Sequence, residues 1–365
     1  TSSGGDYRTF MLYHSHLNVD KSVNLDNPSD GYNLMEISSS SITNNNTMVG
    51  SKAGQIAIAQ ENDTAIRSVV TLTNNGTINL SGSNTAGIYG KNAIINNTNK
   101  IAVGKASSGI YGLNNTLITN SSTASITTGA SSTGIYYSDI EKDSKGNITK
   151  INTTTTSLTN DGAITLNGDD SVGLTYEPGN ISGTVTFRNT TSAKITSTGD
   201  KNVGMFAKVS KNGRLYNTIN EGEISLGNSA SLNNPNVGMY TNAATIGKNP
   251  LLNTGKIKVG DYSVAMYGFE ESTTNGEITV GNGAIGLYSK GGNISIANNK
   301  FTTGSAKESV AVYTVGNNQT ITNSGSTFNL GDTSFGFVNV GTGNNITSTG
   351  GTATLGNDGV FIYSS

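Results

Sequence analysis

A four-residue phrase returns eleven times along this chain: a glycine or alanine, an aliphatic residue, usually a tyrosine, then something small. It begins at Gly87, Gly109, Gly134, Gly173, Gly204, Gly238, Ala265, Gly286, Ala311, Gly336 and Gly359, and reads GIYG, GIYG, GIYY, GLTY, GMFA, GMYT, AMYG, GLYS, AVYT, GFVN and GVFI. Successive starts lie 22, 25, 39, 31, 34, 27, 21, 25, 25 and 23 residues apart, so the smallest unit is 21–25 residues and some copies carry inserts. A period of this size marks a stack of repeats.

Each unit holds two further short apolar segments before its Gly-aliphatic-Tyr segment, as in VTLTNNGTINLSGSNTAGIYG from Val70 to Gly90. In TINL, KIKV, EITV and EISL apolar and polar residues alternate with period two, and β-branched side chains dominate. That is the pattern of a strand on a pleated surface, and the segments are too short for a stable helix. Between them stand Asn75-Gly76, Asp161-Gly162, Asn275-Gly276 and Gly281-Asn282. Such pairs tolerate positive φ and predict sharp corners.

Three unequal strands per unit do not repeat as a hairpin array would. Their apolar positions line up only with the next unit, which predicts parallel stacking of Ile on Ile, Tyr on Tyr and Asn on Asn at about 4.8 Å per turn. The fold class is therefore all-β, a parallel β-helix solenoid with three short strands per rung, and eleven rungs would span on the order of 50 Å. Only 33% of the residues are hydrophobic and 13% are charged, with 47 glycines and neither Trp nor Cys. A large globular core cannot be built from that, whereas a thin inward column can; a disordered chain would lack the regular columns. The formal net charge of −2 offers no basic footprint, which argues against nucleic acid or an anionic membrane as partner.

Residues 1–68 read as irregular or degenerate rungs and 69–365 as the regular array, in one continuous domain. No stretch is long and apolar enough for a transmembrane helix, and the first residues carry no signal region. Neither terminus shows the polar cap that a solenoid needs, so the sequence reads as a piece of a longer rod.

Inserts near 137–156, 177–183, 207–214 and 241–250 all follow the Gly-aliphatic-Tyr segment, and one near 228–236 falls at another corner. Inserts confined to one face of a repeat protein often form its binding face, although exposed loops are also charged merely for solubility. The candidate ligand-binding residues on this edge are Tyr137, Asp139, Glu141, Lys142, Asp143, Lys145, Lys208, Lys211 and Arg214. The stacked tyrosines have two readings: an aromatic face for sugar rings, or mutual packing that steadies the rungs.

Catalysis by paired carboxylates needs two or three Asp or Glu within roughly 5–10 Å. Adjacent rungs show no carboxylates at matching strand positions: Asp169 and Asp170 are neighbours in a turn, and Glu223 and Glu277 belong to nonadjacent rungs and read as solvated turn residues. His14 and His16 lack a third ligand for a metal. No enzyme activity, metal or cofactor is expected.

Units such as NNGTINLSGSNTAGIYG, NGEITVGNGAIGLYS and TGKIKVGDYSVAMYG resemble the passenger repeats of the very large type Va autotransporter adhesins of fusobacteria, a family that includes galactose-binding and arginine-inhibitable adhesins. The resemblance spans about residues 69–365. It implies a right-handed β-helix exported through an outer-membrane barrel that lies outside this sequence, displayed on the bacterial surface as a monomer that does not itself enter a membrane. It further implies attachment to a host-cell receptor or glycan, or to a partner bacterium. The absence of cysteine fits a chain threaded unfolded through an oxidising periplasm. A non-binding stalk, a β-helical polysaccharide-degrading enzyme or tailspike, and a pore-forming toxin passenger are the alternatives; no apolar membrane-entering segment supports the last.

Overall fold

The period-two segments form strands, and the strands coil. The computed structural model describes residues 10–13, 16–26, 35–38, 41–60, 70–151, 155–179, 184–208, 217–242, 251–268 and 272–365. Residue contacts divide the chain into two units, 1–186 and 187–365, each a three-sheet parallel β-helix, with the right hand that parallel crossovers take. One turn of the first unit runs Ala86–Lys91, Ala93–Asn97 and Lys100–Val103, and each strand pairs in parallel with its counterpart one turn on: Ser108–Leu113, Leu117–Asn120 and Ser125–Thr128. We call the three faces the tyrosine, asparagine and third sheets.

Register sets like against like. In the first unit Ile88, Ile110, Ile135 and Leu174 form one inward column, and Ile78, Ile101, Ile126 and Ile164 another, all fully buried. The second unit repeats this with Met205, Met239, Met266 and Leu287 against Ile195, Ile224, Ile257 and Ile278. Each such side chain stabilises the coil by roughly 1.5–3 kcal/mol, so a narrow core suffices for an apolar-poor chain. Strands from before residue 69 join the same register: Leu17 pairs with Ile42, and Ile42 with Leu72.

The expected stacking of Asn on Asn is present, and one expectation about the corners is corrected. Asparagines at the ends of the asparagine-sheet strands face inward. Asn44, Asn74, Asn97, Asn120 and Asn160 are fully buried, each amide donating to the Oδ1 of the next at 2.7–2.8 Å. Asn189, Asn220 and Asn253 do the same in the second unit, where Thr274 and Asn299 continue the series. An amide can donate and accept at once, so a column of identical amides satisfies itself. The corrected expectation is that the Asn-Gly corners need positive φ: Gly76 instead cannot carry a side chain because a Cβ would lie 1.9 Å from the Asn46 carbonyl oxygen of the preceding turn. Left-handed backbone sits on either side of the tyrosine sheet, before it at Asn84, Ala106, Ser131 and Asp170 and after it at Asn92, Asn114 and Asn115.

Candidate functional site

The longest insert leaves the tyrosine sheet of the first unit after Thr133–Ser138. It forms an element that period-two reading did not reveal, an antiparallel hairpin of Ile140–Lys142 and Ile148–Ile151 with a bulge between Glu141 and Lys142. Its tip is a tight loop around Asp143, whose carboxylate accepts from the backbone N–H of Lys145 and Asn147 and from the Asn147 side chain. The Asn147 side chain first, then its backbone N–H, hold the Asp143 carboxyl below its usual range. Gly146 supplies the positive φ that closes the loop.

The foot of the hairpin is sealed. Tyr137 and Asp139, expected on an exposed edge, are fully buried. In the strand Thr133–Ser138 the residue after Tyr136 turns back inside, and Tyr137 stacks on Tyr176 of the next turn with ring centroids 5.6 Å apart. Both hydroxyls donate to Asp139, at 2.6 Å to Oδ1 and 2.6 Å to Oδ2, and the Gly179 N–H reaches Oδ2 at 3.3 Å. Glu177 is equally hidden, 1% exposed, and accepts from the Tyr136 hydroxyl at 2.9 Å and from Lys142 Nζ at 2.5 Å. Neighbouring turns thus carry carboxylates at one corner, although not at matching strand positions, since Glu177 pairs with Ser138. Asp139 lies in the insert, outside the repeat register, and alignment of strand positions passed over it. Glu141 completes the cluster, accepting from Lys91 at 2.8 Å and from the Asn114 side-chain amide, with Lys150 4.0 Å away.

Burial, then the charge of Asp139, pushes the Tyr137 hydroxyl well above its ordinary pKa; burial followed by Glu177 pushes Tyr136 far up and raises Tyr111. The folded state therefore keeps its phenol protons where the unfolded chain, near pH 10, begins to lose them. Stability from these groups is complete below about pH 10 and falls as pH rises further. Thermal melts are expected to drop steadily above that point, with a shallower drop in Tyr137→Phe. A melting temperature unchanged up to about pH 11 in the parent chain would contradict this assignment.

Beside the hairpin the tyrosine ladder lies half-exposed, with Tyr89 to Tyr111 at 5.7 Å and Tyr111 to Tyr136 at 4.8 Å, both stacked. A shallow cleft of about 430 Å³ runs past Tyr89 and Tyr111, with Ile56 and Leu113 on its walls. The rings pack on one another and still present edges to solvent, which fits both readings of the tyrosine column.

The second unit has its own ladder, Phe206, Tyr240, Tyr267, Tyr288 and Tyr313, with centroids 4.6–5.5 Å apart. At the corner between its asparagine and third sheets lies a groove of about 530 Å³. Register places Lys194, Glu223, Lys256, Glu277 and Lys300 side by side along it. Glu223 and Glu277, read as solvated turn residues, begin strands and pair with Lys194 at 3.3 Å and Lys256 at 3.4 Å. The lysine of the intervening turn separates the two carboxylates. This alternation was visible in the sequence as KITS, EISL, KIKV, EITV and KFT at equivalent positions.

Of the candidate residues, the structure brings together Tyr137, Asp139, Glu141 and Lys142 at the hairpin foot, and sets Asp143 and Lys145 at its exposed tip. Lys208 lies half-buried in the second unit; Lys211, Arg214 and His14 fall outside the described residues. His16 is exposed and bonds to Asn18. Among the described residues no group of three His, Cys, Asp or Glu is arranged to hold a metal. Compared with known proteins, the chain matches no family model, no curated protein and no solved structure. Geometry alone defines its class: a repeat protein of the parallel β-helix kind.

Proposed function

We propose that this chain is a segment of a surface-displayed bacterial adhesin of the autotransporter type, which attaches the cell to a host receptor or glycan, or to another bacterium, and performs no catalysis. The observation that carries this reading is the first hairpin, fixed at its foot by buried tyrosine-carboxylate bonds while Asp143 and Lys145 stand in solvent at its tip. A rigid base under an exposed charged loop pre-organises a recognition surface and lowers the ordering cost of binding. The buried carboxylates of Asp139 and Glu177 are engaged by hydroxyl and ammonium donors, an arrangement suited to holding structure. On this reading, which rests on the resemblance of the repeats, the segment stands outside the cell and acts as a monomer.

The test is binding of the purified fragment to epithelial cells and lymphocytes, with free galactosides and free arginine as competitors. A variant with residues 143–147 replaced by a Gly-Asn turn spares the buried foot. Saturable binding that falls at least tenfold in the variant would make the hairpin tip the adhesive site. Binding by neither form would leave the segment a stalk.

A further inference from the structure

Lys91, Asn114 and Glu141 meet at one corner of the first unit. Lys91 ends the strand Ala86–Lys91 and pairs with Leu113 one turn on, so Asn114 is the next residue past its register partner. The Asn114 backbone is held from both sides: its N–H donates to the Ser138 carbonyl, and its carbonyl accepts from the Asn92 N–H, each at 2.9 Å. Glu141 comes down from the hairpin and places its two carboxylate oxygens on the two neighbours, Oε2 on Lys91 Nζ at 2.8 Å and Oε1 on the Asn114 Nδ2. Lys150 is the other cation facing it, at 4.0 Å. The Asn114 residue is 3% exposed, and its Oδ1 is buried without a hydrogen-bond partner. A buried amide carbonyl left unpaired is costly, and such groups in native proteins call for a chemical reason.

We propose that these three residues form an intramolecular amide cross-link between the Lys91 side chain and the Asn114 side chain, with Glu141 as the proton shuttle. A carboxylate bridging an amine and an amide supplies the arrangement that acyl transfer requires: a nucleophile, a base on that nucleophile, and an acid beside the leaving group. Lys91 gives one proton to Glu141, and its nitrogen attacks Asn114 Cγ. The second proton passes to Nδ2, the Cγ–Nδ2 bond breaks, and ammonia departs, taking the proton from Glu141 to leave as ammonium. A new Nζ–Cγ amide remains, Glu141 is a carboxylate again, and no oxidant or cofactor enters. The product ties two successive turns at the corner from which the hairpin springs, removing freedom from the unfolded chain as other cross-links do. It also gives a chain without cysteine a covalent brace.

Mass spectrometry of the purified full chain decides the matter. The expected result is an intact mass short of the sequence mass by one ammonia, a branched tryptic peptide joining the segments around Lys91 and Asn114, and no cleavage after Lys91. Lys91→Arg and Glu141→Gln should each regain the missing ammonia and melt at a lower temperature while keeping the parent's circular dichroism. A parent chain of full mass, cleaved after Lys91, overturns the proposal. So does ammonia loss that persists in Lys91→Arg, since that assigns the loss to cyclisation of Asn114 on its own backbone. Should either variant fail to fold, the parent's mass and peptide map still give the answer.

Discussion

Replacing Asp139 with alanine is expected to destabilise the hairpin corner by about 3 kcal/mol, because two buried tyrosine hydroxyls lose their acceptor in one step. Tyr137 and Tyr176 are at most 2% exposed, so water cannot easily replace the lost carboxylate without opening the turn. Stacked turns need not unfold together, so the loss belongs in native-state hydrogen exchange, read at the amides of residues 137–142 and 172–177. Fast exchange confined to that corner, with distant turns unchanged, is the expected pattern. Protection equal to the parent at those amides would show that the tyrosine-carboxylate bonds do not hold the hairpin. Asp139→Asn retains an acceptor and should fall between the two.

The second large effect is expected in the asparagine column. Asn97 donates to Asn120 and to the Asn99 carbonyl, and accepts from Asn74, with no exposure to solvent. Asn97→Leu fills the space but orphans the Asn120 Oδ1 and takes the Oδ1 acceptor from Asn74, while the Asn99 carbonyl keeps the Ser125 N–H, for a cost of about 3 kcal/mol. The same exchange at the exposed Asn75 one turn earlier should cost less than about 0.5 kcal/mol. Denaturant titration followed by circular dichroism separates the two variants; near-equal midpoints would mean that the inward amides contribute no more than surface ones.

The repeat made the coil legible because every rung obeys the same two rules. Alternation in TINL or EISL gives the inward Ile, and the signature glycine marks where turns touch: at Gly109 a Cβ would stand 2.6 Å from the Gly134 carbonyl oxygen. The phrase therefore records a packing constraint. The asparagines were harder to read. Asn74-Asn75-Gly76 looks like a turn throughout, yet Asn74 points in and Asn75 out, and only the strand's parity distinguishes them. The hairpin site was least legible, since an insert has no neighbouring copy against which to be aligned. Charge density marks the insert, but it cannot tell Asp143 in solvent from Asp139 beneath two phenols.

The two kinds of side-chain column differ in what lengthening or shortening of the gene they would tolerate. An unbroken column of asparagines, such as Asn44 to Asn160, is self-complementary, so loss or duplication of a single turn within it leaves every amide with an identical partner. The lysine-glutamate column of the second unit is not: excising the Glu223 turn would set Lys194 against Lys256, and the like charges would repel. Only an even number of turns can be gained or lost there without penalty. Length variation in this part of the molecule should therefore proceed in pairs of repeats, while elsewhere single repeats suffice.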